Sequence, residues 1–147
     1  KPTCIHTPML SGLKGAGGRM DSFEYKMSKS DPNNAIILHD SKDVLRKKMK
    51  KAFLEVGNDS SAIFEIVEHI IMPKMGKIVV TPDPKYGSPS SFSNSDDFVS
   101  SVSGGNVHPL DAKIAVADAL SSILSPVSKH FQENPELLES MESLSES

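Results

Sequence analysis

Lys26-Met27-Ser28-Lys29-Ser30-Asp31-Pro32-Asn33 is the stretch on which the reading of this chain turns. Two lysines three positions apart, interleaved with hydroxyl side chains on a turn, suit a site where negative charge grows transiently on phosphate oxygens. A solvated Lys/Ser loop is the bland alternative, and five specified residues in order weigh against it. The segment before it, Leu10 to Tyr25, holds Gly12, Gly15, Gly17 and Gly18. That spacing is too irregular for a dinucleotide or P-loop fingerprint and predicts a flexible loop. Thr3-Cys4-Ile5-His6 is a short extended run without a partner strand close by in sequence, so it is expected to pair with residues preceding Lys1.

Downstream the pattern is mostly helical. Ser41 can cap a helix whose face carries Val44, Leu45, Lys48, Met49, Ala52 and Phe53, with Arg46, Lys47, Lys50 and Lys51 pointing elsewhere. A second helix is predicted from Ser61 to Met72, with Ile63, Phe64, Val67, Ile70 and Ile71 buried and Pro73 ending it. Ile78-Val79-Val80-Thr81, followed by Pro82, Asp83, Pro84, Gly87 and Pro89, reads as a small hairpin. Ser95 to Val102 predicts a short helix closed by Gly104 and Gly105. Pro109 then opens the longest helix, with Ile114, Val116 or Ala117, Leu120, Ile123, Leu124, Val127 and Phe131 on its apolar face and a kink at Pro126. Beyond Gln132 five glutamates occur without a basic residue. Asn134-Pro135-Glu136 can cap one marginal helix there, but the composition predicts a frayed or disordered tail.

The pentapeptide Lys26–Ser30 resembles the KMSKS signature of class I aminoacyl-tRNA synthetases. His108-Pro109-Leu110-Asp111-Ala112-Lys113, continuing to Leu120 and ending Ser125-Pro126-Val127, resembles the start of the last long helix in archaeal and eukaryotic tyrosyl-tRNA synthetases. Ile5 to Leu13 and Lys48 to Phe53 add to the likeness, which covers nearly the whole stretch from Cys4 to Phe131. The resemblance implies a mainly α fold. A helical anticodon-binding domain with a small β-hairpin, residues 41–132, would follow the C-terminal edge of a Rossmann-type α/β catalytic domain, residues 1–40, and precede an acidic tail, residues 133–147. The implied activity is a tyrosine–tRNA ligase: tyrosine attacks the α-phosphate of ATP, pyrophosphate leaves, and the tyrosyl group passes to the terminal ribose of tRNA(Tyr).

Site residues follow from the same resemblance. Lys26 and Lys29 would be the catalytic phosphate-binding pair, within an ATP-binding loop of Lys26, Met27, Ser28, Lys29 and Ser30. Serine often replaces the fourth motif residue in archaeal relatives, which favours Lys26. Met27 is expected to anchor the loop through apolar contacts. Tyr86, His108, Pro109 and Asp111 would contact the first anticodon base, a guanine, whose amino group a carboxylate can accept and whose face an aromatic ring can stack. Asp111 can equally serve the helix dipole and His108 can be a cap. ATP enters as substrate, accompanied by Mg2+, and no protein-bound metal is expected. The parent enzyme is expected to be a homodimer. No HIGH-type His-x-Gly-His motif occurs, so the chain by itself is expected to be inactive. Two other readings stand: a tryptophanyl-tRNA synthetase fragment, which Met27 to Asn33 also suits, and a non-catalytic tRNA-binding module derived from a synthetase.

Composition agrees with that class. The net charge of −3 conceals a basic first part and an acidic second one. Lys1 to Ala52 carries 11 basic and 5 acidic residues, and Phe53 to Ser147 carries 5 and 14. A basic segment can meet polyphosphate or RNA backbone, although Lys42 to Lys51 is equally a solvated helix face. Cys4 is the single cysteine, which excludes an internal disulfide and a CxxC zinc cluster. His6, His39, His69 and His130 show no metal-ligand spacing. No apolar run approaches a membrane span and no signal-peptide h-region opens the chain, so a cytoplasmic protein that avoids membranes is expected.

Overall fold

The computed structural model describes residues 3–15, 26–28 and 30–145, with the side chains beyond Ser140 left aside. The predicted loop therefore lies largely outside the described residues, as does Lys29. The elements run in the order α1 (Lys42–Lys51), α2 (Ala62–Ile66), a π-helical segment (Val67–Ile71), α3 (Met72–Met75), β1 (Ile78–Val80), β2 (Ser90–Phe92), α4 (Ser95–Ser103), α5 (Pro109–Glu133) and α6 (Pro135–Ser145). The described residues form a mainly helical body with a two-stranded antiparallel sheet, in which Ile78 pairs with Phe92 and Val80 with Ser90. No helix among the described residues is long and apolar enough to cross a membrane.

Local chemistry sets the helix starts. Ser41, Ser61, Asn94 and His108 each accept a backbone N–H at a helix entrance, satisfying one of the donors that a first turn leaves unpaired. Lys48, Lys50 and Lys51 lie in the last turn of α1, where cations favour the negative end of the helix dipole. The buried stripe of α1 is narrower than its sequence suggests. Leu45, Met49 and Ala52 are buried, whereas Val44 and Phe53 stay exposed.

The region predicted to end at Pro73 continues through it. Met72 N–H reaches back five residues to Val67 C=O, closing a π turn immediately before the proline. Proline lacks an N–H and its ring clashes with the carbonyl four residues earlier. The wider π turn accommodates it, and the helix ends at Gly76, which takes the left-handed φ of 70°. Ile66 and Ala62 are buried here, while Ile70 is only partly so. Pro126 likewise lies inside α5, which remains one element to Glu133.

The core gathers Leu45 and Met49 of α1, Ile63, Phe64 and Ile66 of α2, Ile78 and Val80 of β1, Phe98 and Val102 of α4, and Val116 and Leu120 of α5. Each such side chain contributes on the order of 1.5–3 kcal/mol when removed from water. Ala112, Ala115, Ala117 and Ala119 are buried alongside Val116 and Leu120, so the first three turns of α5 are enclosed on several sides. Ile123 and Leu124, expected in the core, are only partly buried against it. Leu13 belongs to the same core and its C=O accepts Phe53 N–H at 2.7 Å, so the core runs across the expected boundary at residues 40 and 41. Phe98 makes edge-to-face contacts with Phe64 and Phe92, at centroid separations of 6.1 and 5.6 Å, and so ties α4, α2 and β2 together. Where composition predicts a disordered tail, residues 135–145 form α6. Asn134 does not cap that helix through its side chain; its amide donates backwards to His130 C=O, closing α5.

Candidate functional site

Lys26 is held by a short antiparallel bridge to Ser11, and Met27 N–H donates to Leu10 C=O at 3.1 Å. Met27 is partly buried against the core, which anchors this end of the segment. The chain then turns twice: Asp31 N–H donates to Ser28 C=O at 3.1 Å and Asn34 N–H to Asp31 C=O at 2.9 Å. Ser28 Oγ also accepts Ser30 N–H at 3.4 Å. Lys26 and Ser30 are both exposed. Lys14 pairs with Asp31, and that hydrogen bond holds the Asp31 carboxyl below its ordinary range.

The support behind this segment was invisible in the sequence. Ser11 is buried, and its N–H and Oγ–H donate to the two oxygens of Glu65 at 2.6 Å each. Hydrogen bonds to an ionised carboxylate are among the stronger ones available. Asn34 serves the same segment: its Oδ1 accepts Lys14 N–H at 2.8 Å and its C=O accepts Leu13 N–H at 3.0 Å.

The lysine run of α1 is sorted by its neighbours. Arg46 makes a bidentate pair with Asp118 of α5 at 2.8 and 2.7 Å, with Lys42 3.5 Å away. Lys48 is nearly buried with Asp40 at 2.6 Å, and Asp40 also accepts Ile37 N–H. Lys47, Lys50 and Lys51 make no ion pair with any described residue. Lys47 and Lys51 line, with Lys14, Lys48 and Asn33, a cleft of about 450 Å³ beside the turn that follows Ser30.

A second cleft, of about 370 Å³, lies between the hairpin connection and the start of α5. Tyr86, more than twenty residues before the other two in sequence, lines it with His108 and Asp111, together with Ser88 and Asn106. Tyr86 stands 83% exposed on a turn closed by its N–H to Asp83 C=O at 2.8 Å. His108 is the N-cap of α5: its Nδ1 accepts Leu110 N–H at 3.2 Å, which leaves the neutral ring a proton on Nε2 to donate. Pro109 occupies the first helical position without lining the cleft, and Asp111 sits in the first turn. The cap and dipole roles are therefore met by residues that also face open space. An aromatic face, an N–H donor and a carboxylate converging on one cleft can stack and hydrogen-bond a planar heterocycle. Among the described residues no three His, Cys, Asp or Glu come together as a metal site.

Residues 1–125 match the family described as tRNA synthetases class I (W and Y). The chain belongs to this family. Within it the resemblance is to tyrosyl members. The tyrosine–tRNA ligase of Saccharolobus solfataricus is 33% identical over 158 aligned positions, covering all of this chain and 43% of that protein. That of Picrophilus torridus is 39% identical over 129 positions, covering 86% of this chain and 38% of the relative. Among solved structures, tyrosyl-tRNA synthetase from Pyrococcus horikoshii, complexed with L-tyrosine, superposes with a TM-score of 0.80 at 32% identity, covering 92% of this chain and 39% of that one. The chain thus spans about two fifths of the length of the curated relatives it matches.

For this class I synthetase chain, the sequence-derived residues fall into two groups. Lys26, Met27, Ser28 and Ser30 occupy one contiguous segment, with Lys29 outside the described residues. Tyr86, His108 and Asp111 share a cleft. Glu65 and Asn34, which brace the first group, carry no signal in their own neighbourhoods that could have singled them out.

Proposed function

We propose that this chain is the C-terminal portion of a tyrosine–tRNA ligase. It would supply the phosphate loop for tyrosine activation and the surface that reads the anticodon of tRNA(Tyr). The identity of 33–39% to ligases named for tyrosine carries the reading. In it, residues 1–40 end a Rossmann-type catalytic domain and residues 41–132 form the anticodon-binding domain. Lys26 and Lys29 meet the phosphates of ATP as pyrophosphate leaves, and Ser28 and Ser30 shape the loop or donate to the same oxygens. Mobile cations suit this step because the charge they stabilise develops only as the α-phosphate is attacked. Mg2+ arrives with ATP.

At the second cleft, Tyr86 stacks the first anticodon base and Asp111 accepts from its amino group, with His108 and Pro109 shaping the edge. That assignment favours tyrosine over tryptophan. The complete enzyme works as a cytoplasmic homodimer.

The test is amino-acid-dependent ATP–pyrophosphate exchange by the full-length protein, with all twenty amino acids and with Lys26→Ala. Exchange with tyrosine alone, reduced roughly 10²–10³-fold in the variant, is expected for loss of one transition-state donor. Exchange with tryptophan would move the protein to the sister specificity. Absence of exchange would sink the ligase reading.

A further inference from the structure

We infer that Glu65 is a positioning residue for the Lys26 arm of the phosphate loop, acting through Ser11; the inference rests on the ligase reading above. Glu65 lies in the first turn of α2, between Phe64 and Ile66, which are 4% and 0% exposed, so its backbone is fixed by the core. Its two carboxylate oxygens are both spent on a single residue 54 positions away. One takes the N–H of Ser11 and the other its hydroxyl, each at 2.6 Å. Ser11 is 4% exposed and is the bridge partner of Lys26. Leu10, its neighbour, accepts Met27 N–H. The path from a rigid helix to the backbone of Lys26 therefore contains one carboxylate and one short bridge.

Transition-state donors are sensitive to displacement, because a misplacement of about 1 Å can cost on the order of 10²-fold in rate. Glu65 does not line the second cleft, so loss of its carboxylate should act on phosphate chemistry and spare RNA recognition. A purely structural role would weaken both together. That difference makes the inference separable.

The experiment measures tyrosine-dependent pyrophosphate exchange by the full-length enzyme carrying Glu65→Ala, Glu65→Gln, Ser11→Ala, or Ser11→Ala with Glu65→Ala. Glu65→Ala is expected to lower kcat about 10–100-fold, with KM for tyrosine and affinity for an anticodon stem-loop unchanged. Glu65→Gln should recover part of the loss, since its amide oxygen still accepts Ser11 N–H. The double variant should be no slower than the slower single one, because both changes cut the same connection. An unchanged kcat in Glu65→Ala overturns the inference, as do multiplying losses in the double variant. Equal falls in exchange, tyrosine KM and stem-loop affinity would assign Glu65 to general folding and also overturn it. A parent enzyme inactive with tyrosine would instead sink the ligase reading, a result distinct from a slow variant of an active parent.

Discussion

Replacing Gly12 by alanine tests how tightly the segment bridged to Lys26 is packed. A Cβ at Gly12 would lie 2.4 Å from Nδ2, 2.7 Å from Oδ1 and 2.8 Å from Cγ of Asn34, all inside van der Waals contact. Asn34 cannot turn aside freely, because its Oδ1 accepts Lys14 N–H at 2.8 Å. Overpacking of this kind costs about 1–3 kcal/mol. Loss of the Lys14 bond adds about 0.5–1.5 kcal/mol. Together they amount to roughly 2–4 kcal/mol, a large part of an ordinary domain's stability of about 5–15 kcal/mol. Urea unfolding followed by circular dichroism should report that loss, and a thermal scan a fall of roughly 4–16 °C. Gly12 is not among the glycines with positive φ, so alanine is conformationally acceptable there. In an Asn34→Ala background, where the obstructing atoms are gone, Gly12→Ala should therefore be neutral or stabilising by about 0.4–1 kcal/mol. A neutral Gly12→Ala in the unaltered protein, or an equal penalty in both backgrounds, would refute the steric argument.

Phe98→Ala should cost about 3–5 kcal/mol, because the ring is fully buried and joins two aromatic neighbours; denaturant unfolding measures it, and a loss below about 1 kcal/mol would deny the trio its role. Asp118 has its carboxyl pKa lowered chiefly by the hydrogen bond from Arg46, with Lys42 adding to it. A depressed folded-state pKa means that its stabilisation is present above the unfolded value of about 3.9 and is lost as pH falls through the folded one. Asp118→Asn should accordingly flatten the acid side of the stability–pH curve, and an unchanged acid limb would contradict the pairing. Asp111→Ala in the full-length enzyme should reduce discrimination for guanine at the first anticodon position, read as relative aminoacylation of anticodon variants. Equal loss on every anticodon would rule out base-specific contact.

What was legible in the sequence was local. Ser41, Pro109 and the Gly104-Gly105 pair mark helix ends through interactions spanning a few residues, and the structure places helix ends there. The β-branched run at Ile78 to Val80 became a strand for the same reason. Lys26 to Ser30 sets the proposed phosphate-binding residues side by side in the chain, which is why the family resemblance was legible in the sequence. Local rules failed where a neighbouring feature overrode them. Pro73 does not stop its helix because a π turn precedes it, and the alanines of α5 are core because α1, α2, the π-helical segment and β1 pack against that helix.

Tertiary structure alone decided which charges are paired and which line an open cleft. Arg46 and Asp118 stand 72 positions apart and Ser11 and Glu65 54 apart, so no periodicity could join them. The lysine run of α1 reads as uniform in sequence. Folding divides it into partners of Asp118, a nearly buried partner of Asp40, and an unpaired edge at Lys47 and Lys51 among the described residues, because each side chain meets whatever the packing of α1 against α5 brings to its side of the helix.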